Sequence, residues 1–108
     1  MRDLRKGSTM LLALHVLSET PMYGFELADE LMARTGGVLA FAEGMLYPML
    51  HKMEREGLLV SEWRPSADGP PRKYYAPTTE GTRELARRRA DWDRFATALG
   101  SALGAPKR

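Results

Sequence analysis

Apolar positions along the chain fall into a few periodic blocks, and those blocks dictate the expected elements. From Ser8 to Glu19, Met10, Leu14 and Leu17 recur at helical spacing with Leu11 and Ala13 beside them. Ser8 is placed to cap that helix. Thr20-Pro21 ends it, because the residue before a proline avoids the helical region. A second helix is expected from Tyr23 to Thr35. Phe25 or Leu27, then Leu31 and Met32, form its apolar stripe, and Glu26, Asp29, Glu30 and Arg34 face water. Gly36-Gly37 is its stop. Only a short turn separates these two helices, which favours a packed pair.

After the short apolar connection Val38 to Phe41, a third helix is expected from Glu43 to Glu56. Leu46, Met49, Leu50 and Met53 stand at i, i+3, i+4 and i+7, a one-sided core stripe. Glu43 suits the positive end of the helix dipole, Lys52 and Arg55 suit the other end, and Gly57 terminates the run. Pro48 lies inside this helix, where it removes one backbone hydrogen bond and should bend the early turns. Leu58 to Arg64 and Arg72 to Pro77 read as two strands. Pro65 to Pro71 between them reads as a long, flexible loop tip. Trp63 is expected to pack, and strand register alone decides whether Tyr74 or Tyr75 points inward. Thr78 caps a last helix from Thr79 to Leu99 or Leu103, about 30 Å long. The fold class is therefore mainly α with a small β-hairpin: a winged helix-turn-helix over residues 1–77, a long C-terminal helix over 78–104, and a tail over 105–108.

Composition narrows the function classes. At 108 residues the chain is one domain's worth of protein, small enough for a partner subunit to contribute to its core. It has no cysteine, so disulfides and thiolate metal sites are excluded, and its two histidines, His15 and His51, make no metal cluster. The apolar stretch Met10 to Leu17 is too short for a membrane span and lacks the cleavage pattern of a signal peptide, so the expected location is the cytoplasm. No nucleophile–base–orienter set, paired carboxylates or phosphate-binding glycine loop is present, which argues against an enzyme; no cofactor is expected. His15, set among leucines, reads as a core-edge histidine.

Net charge is +2 and the isoelectric point about 9.2, so the placement of the charges matters more than their sum. The third helix is apolar behind. In front it presents Met45, Tyr47, Pro48, His51, Lys52 and Arg55, a surface suited to a DNA major groove. Lys52 and Arg55 can neutralise phosphates, whereas Tyr47 and His51 can reach a phosphate or a base edge. The same cations on an isolated helix would simply keep it soluble. Arg64, Arg72 and Lys73 beside the loop tip add a second basic contact, and Arg2, Arg5 and Lys6, expected on a flexible N-terminus, a third.

Four segments, in order, carry a resemblance: Leu4-Arg-Lys-Gly, Pro21-Met-Tyr-Gly-Phe-Glu-Leu, the run from Glu43 through Leu46-Tyr47-Pro48 to Gly57-Leu58, and Gly69-Pro-Pro-Arg-Lys-Tyr-Tyr-Ala-Pro-Thr-Thr-Glu-Gly. Together they cover nearly the whole chain and resemble the PadR family of transcriptional regulators, in its short form with a single C-terminal dimerisation helix. The resemblance implies a homodimeric winged-helix repressor, often autoregulated and often relieved by a small ligand. By position, Tyr47, Pro48, His51 and Lys52 match the DNA-facing part of the family motif and Arg72-Lys73 match the wing. The chain departs from the family at Ala42 and Met45, which stand where Ser (or another capping residue) and Thr are usual and so remove two hydroxyls. Met49 and Met53 replace the commoner Ala and Leu.

Leu85, Trp92 and Leu99, spaced by seven, form a seam with Arg89, Phe95, Ala96 and Leu103. One side of such a helix needs cover, which points to a homodimer about a two-fold axis. Trp92 is either dimer packing or the wall of a pocket for a flat apolar or cationic effector. The expected partner is double-stranded DNA, read as a palindrome. The rival reading is a winged-helix module that binds proteins and not DNA.

Overall fold

The computed structural model describes residues 2–39 and 43–104, with the side chains of residues 2–6, 43 and 44 outside the description. Ala42 and the tail at 105–108 therefore lie outside the described residues. The order of elements is α1 (Arg2–Glu19), β1 (Met22–Tyr23), α2 (Gly24–Arg34), α3 (Glu43–Arg55), β2 (Leu59–Ser66), β3 (Gly69–Pro77) and α4 (Thr79–Leu103). Among the described residues, four helices thus carry a three-stranded antiparallel sheet ordered β1-β3-β2.

One core joins these elements. Leu14 and Leu17 of α1, Leu27 and Leu31 of α2, and Leu46, Leu50 and Met53 of α3 are buried together. Leu59 and Tyr75 close the cluster from the sheet. Helical periodicity places each stripe inward, and burying each of these side chains contributes about 1.5–3 kcal/mol. Phe25 and Met32 are exposed, so Leu27 and Leu31, with Ala28 beside them, carry the inward face of α2. Arg34 clamps α2 to α1 by reaching Glu19 at 2.5 Å, and is itself held by Glu30 one turn back on α2 at 2.8 Å. His15 is half-buried, its Nε2 3.3 Å from Glu19.

Three expectations are corrected. Helix α1 begins at Arg2, so Ser8 is an interior residue and not the cap; Arg2, Arg5 and Lys6 stand on helical backbone rather than on a flexible end. The reason is tertiary: α1 lies along α4, which offers Gly7, Ser8 and Leu11 an apolar neighbour in Trp92 and Phe95. The two residues Met22 and Tyr23 form a strand, pairing with Tyr75 and Tyr74 of β3. Finally, the wing has no long flexible tip. Strands continue to Ser66 and Gly69 and close on a two-residue turn at Ala67-Asp68. The prolines that suggested a loop sit in a bulge: Pro65 faces Pro70-Pro71 between the Arg64–Arg72 and Ser66–Gly69 pairs. An irregular ladder has no use for the N–H groups that proline lacks. Ser66 Oγ donates to Asp68 (2.7 Å), and Arg72 reaches the same carboxylate (3.3 Å).

Helix α3 runs unbroken through Pro48. It ends at Gly57, whose φ of 81° lets the N–H of Leu58 return to the Met53 carbonyl (2.9 Å) before β2 starts. Thr78 caps α4 by accepting from the Gly81 N–H (3.0 Å), an arrangement worth about 1 kcal/mol, and donates to the Gly57 carbonyl (2.5 Å). One threonine therefore ties the start of α4 to the end of α3.

Candidate nucleic-acid interface

The outer side of α3 and the wing converge on one cleft of about 400 Å³, lined by Tyr47 and His51 from the helix, Trp63, Pro71, Arg72 and Lys73 from the wing, and Tyr23-Gly24 at the base. Pro48, His51, Lys52 and Arg55 are exposed along α3. Lys52 makes only a long 4.0 Å contact with Glu56. The side chain of Lys6, assigned to the same group from the sequence, lies outside the described residues.

Tyr47 is half-buried and shares its packing between this surface and the core. Its ring lies over Gly24, where a Cβ would come within 2.5 Å of the aromatic carbon Cε1. A side chain at position 24 would force α2 and α3 apart, so the glycine sets how closely the two helices cross. Tyr47 in turn stands beside His51, ring centroids 6.4 Å apart.

Strand register sorts the wing into two faces. Leu59, Ser61 and Trp63 of β2 lie opposite Pro77, Tyr75 and Lys73 of β3, on the side turned to α3. Here Glu54 of α3 gathers two wing residues. It accepts from Ser61 Oγ (2.5 Å) and pairs with Lys73 Nζ (3.2 Å). The Ser61 hydrogen bond, followed by the Lys73 ammonium, holds the Glu54 carboxyl below the usual carboxylate range. The same pairing raises Lys73. Lys73 also lies 5.5 Å from the ring centre of Tyr75, whose phenol is pushed up by burial. Lys73 is thus committed to a partner within the chain, a tie that no reading of the sequence without strand register could have found.

The other face carries Glu62, Arg64, Arg72 and Tyr74, with Tyr23 on β1 beside them. Arg64 lies over the Tyr74 ring at 4.4 Å and Arg72 over Tyr23 at 4.6 Å, while the two tyrosines meet edge to face at 5.5 Å. Arg64 also lies 3.5 Å from Glu62 and Arg72 3.3 Å from Asp68, both exposed carboxylates, so each guanidinium keeps further N–H groups that can turn to phosphate while the ring limits its freedom. Tyr23, a helix start in the sequence reading, is part of this support.

Trp63 departs from expectation. It is 67% exposed. It shares a face with buried Leu59, but the hairpin outruns the helical layer: α3 covers the sheet as far as Ser61, and Trp63 lies one step beyond.

The C-terminal half of α4 is the second candidate surface. Leu85 packs against the core of its own chain. Arg89 and Ala96 are exposed, as are Trp92 (41%), Phe95 (45%), Leu99 (39%) and Leu103. Trp92 and Phe95 touch each other, centroids 5.9 Å apart. Two shallow grooves of about 370 Å³ flank Trp92 along α1, one reaching Arg88 and Asp91, the other His15 and Arg89. No helix among the described residues is long and apolar enough to cross a membrane. No group of three or more His, Cys, Asp or Glu able to hold a metal ion occurs among them.

The chain resembles known regulators in sequence and in structure. Residues 13–87 match the transcriptional regulator PadR-like family. A transcriptional regulator of Mycobacterium tuberculosis is 38% identical over 85 residues, which is 79% of this chain and 76% of that protein. The crystal structure of a PadR family transcriptional regulator from Eggerthella lenta is 36% identical, covers 96% of this chain and 88% of its own, and superposes with a TM-score of 0.79. A PadR-like transcriptional regulator from Bacillus cereus is 29% identical with a TM-score of 0.83 over 96% of this chain and 99% of its own. Sequence, element order and wing therefore agree, and the chain belongs to the PadR-like family of transcriptional regulators.

Proposed function

We propose that the protein is a sequence-specific DNA-binding repressor that acts as a homodimer on a palindromic operator. The observation that carries this reading is the cleft in which the exposed side of α3 meets the wing, lined by His51 and Arg72, with Lys52 and Arg55 exposed along the same helix. Helix α3 enters the major groove, where Lys52 and Arg55 meet phosphates and His51 reaches a phosphate or base edge. The wing lays Arg64 and Arg72 on the flanking backbone. Trp92, Phe95, Ala96, Leu99 and Leu103 of α4 meet their counterparts across the two-fold axis, with Arg89 at the rim; Leu85 anchors that helix to its own subunit. A flat aromatic or drug-like effector, held against Trp92 in the flanking grooves, releases the operator by changing the angle between the subunits. A regulator that meets the chromosome works in the cytoplasm of a cell without a nucleus.

Fluorescence anisotropy of a labelled duplex, titrated between low and physiological salt, tests the reading. Affinity should fall steeply and linearly on logarithmic axes, with a slope of about −0.9 for each phosphate contacted. Absence of binding even at low salt, from a protein that is folded and dimeric, would favour the protein-interaction module instead.

A further inference from the structure

We propose that Trp63 is a DNA-contacting residue of the wing, one that grips the sugar-phosphate backbone through its indole face and not through charge. The proposal rests on the DNA-binding reading above and assigns the occupant of the cleft between α3 and the wing.

A single exposed aromatic on a protein surface needs no explanation. The position of this one is different. The indole is two-thirds exposed, yet it lines a concave cleft with His51 and Tyr47 of α3 facing it. Tryptophan suits a boundary of this kind, since its face is apolar and its Nε1–H is a donor. Deoxyribose offers an apolar surface and phosphate an acceptor, so both ends of the side chain find a partner on a duplex strand. Charge complementarity argues for that occupant: Arg72 stands at the cleft and Lys52 and Arg55 are exposed on the helix beside it. The cation nearest in register to the indole, Lys73 opposite Trp63, is already neutralised by Glu54. The indole, carrying no charge, therefore adds a contact that releases no counterion of its own. Its contribution separates from that of the arginines by its salt dependence. The Pro65–Pro70–Pro71 bulge just past Trp63 stiffens the strand that carries it, so little freedom is lost when the indole is pressed against a ligand.

The test uses the full-length protein and a random-sequence duplex of about 40 base pairs at low salt, because a backbone contact does not depend on sequence. Anisotropy of a labelled duplex reports binding; indole emission with iodide quenching, read as the difference between the wild type and Trp63→Phe, reports Trp63 apart from the exposed Trp92. The wild-type emission should shift to the blue and become protected from iodide when the duplex is added, and Trp63→Phe should lose that change while still binding. Trp63→Ala should bind about fivefold to tenfold more weakly at every salt concentration, with the same salt slope as the wild type. The exposed site makes both variants compatible with the core, which circular dichroism checks. An emission change as large in Trp63→Phe as in the wild type, or one absent from DNA-bound wild type, overturns the proposal while leaving the DNA-binding reading intact. A Trp63→Ala slope shallower than the wild type overturns the non-ionic contact. No anisotropy change with any protein overturns both.

Discussion

The two working regions of the molecule are finished to different degrees. At the wing end, polar side chains have partners before any ligand arrives: Glu54 holds Ser61 and Lys73, Arg64 and Arg72 rest on Tyr74 and Tyr23, and Tyr47 is seated on Gly24. Along the far half of α4, Trp92 and Phe95 have each other, and the apolar side chains of Leu99 and Leu103 stay exposed. The overall shape reflects this. A radius of gyration of 15.4 Å exceeds the ~13 Å of a compact chain of this length, because a 25-residue helix extends from a small body. One surface is thus braced by partners within the chain, whereas the other presents apolar side chains that the proposed homodimer would cover.

The sharpest way to break this comparison is to charge the unfinished surface. Phe95→Glu with Leu99→Glu should leave the winged-helix body folded, because neither side chain joins the core, and should yield a monomer in light scattering. Operator affinity should drop by about 100-fold or more once the second half-site is no longer tethered. A double variant that stays dimeric would remove α4 as the interface. Next in size is Gly24→Ala. Its new Cβ strikes the Tyr47 ring, so the substitution should cost about 1–3 kcal/mol and lower Tm by roughly 5–20 °C. An unchanged Tm would mean that α2 and α3 are not set by that contact.

Two smaller effects sharpen the account of the preorganised end. Arg72→Ala should weaken binding a few-fold and reduce the salt slope by about one per subunit. Lys73→Ala should weaken binding by a similar factor with the slope unchanged, if its pairing with Glu54 is kept on DNA. Equal slope changes for the two would contradict the division between contact and brace. The smallest effect is a pH dependence. Glu54 is depressed on folding, so its contribution to stability is present above the unfolded carboxylate range and is lost as pH falls through its lower folded value. Thermal unfolding between pH 3 and 6, run as a comparison at about five points, should show Glu54→Gln losing less stability on acidification than the wild type. The difference should stay below about 1 kcal/mol, because the pair is partly exposed.

Elements with strong periodicity were legible in the sequence. The stripe Leu46, Leu50, Met53 faces the core as its spacing requires, and Thr78 caps α4 as its chemistry requires. What was not legible depends on partners distant in the chain. Met22-Tyr23 is too short to alternate, and only the opposite residues Tyr75 and Tyr74 make it a strand. Gly7-Ser8 carries a local signal to begin a helix at Ser8, yet α1 runs through it in contact with α4. Three prolines suggested a loop because their tolerance within a bulge depends on register. In the candidate site, the exposed face of α3 could be drawn from helical geometry alone. That Lys73 turns inward to Glu54, and that Trp63 stays in the open, followed only once the strands were paired and the extent of the helical layer was known.

Lys52 and Arg55 stand on the exposed side of α3 proposed to hold DNA, and the double variant Lys52→Ala, Arg55→Ala removes both cations at once. Each cation lost should remove about one phosphate contact per subunit. The salt slope of the dimer should therefore become shallower by about four, with greatly weakened binding and the dimer intact. Unchanged affinity and an unchanged slope would contradict the assignment of this face to DNA.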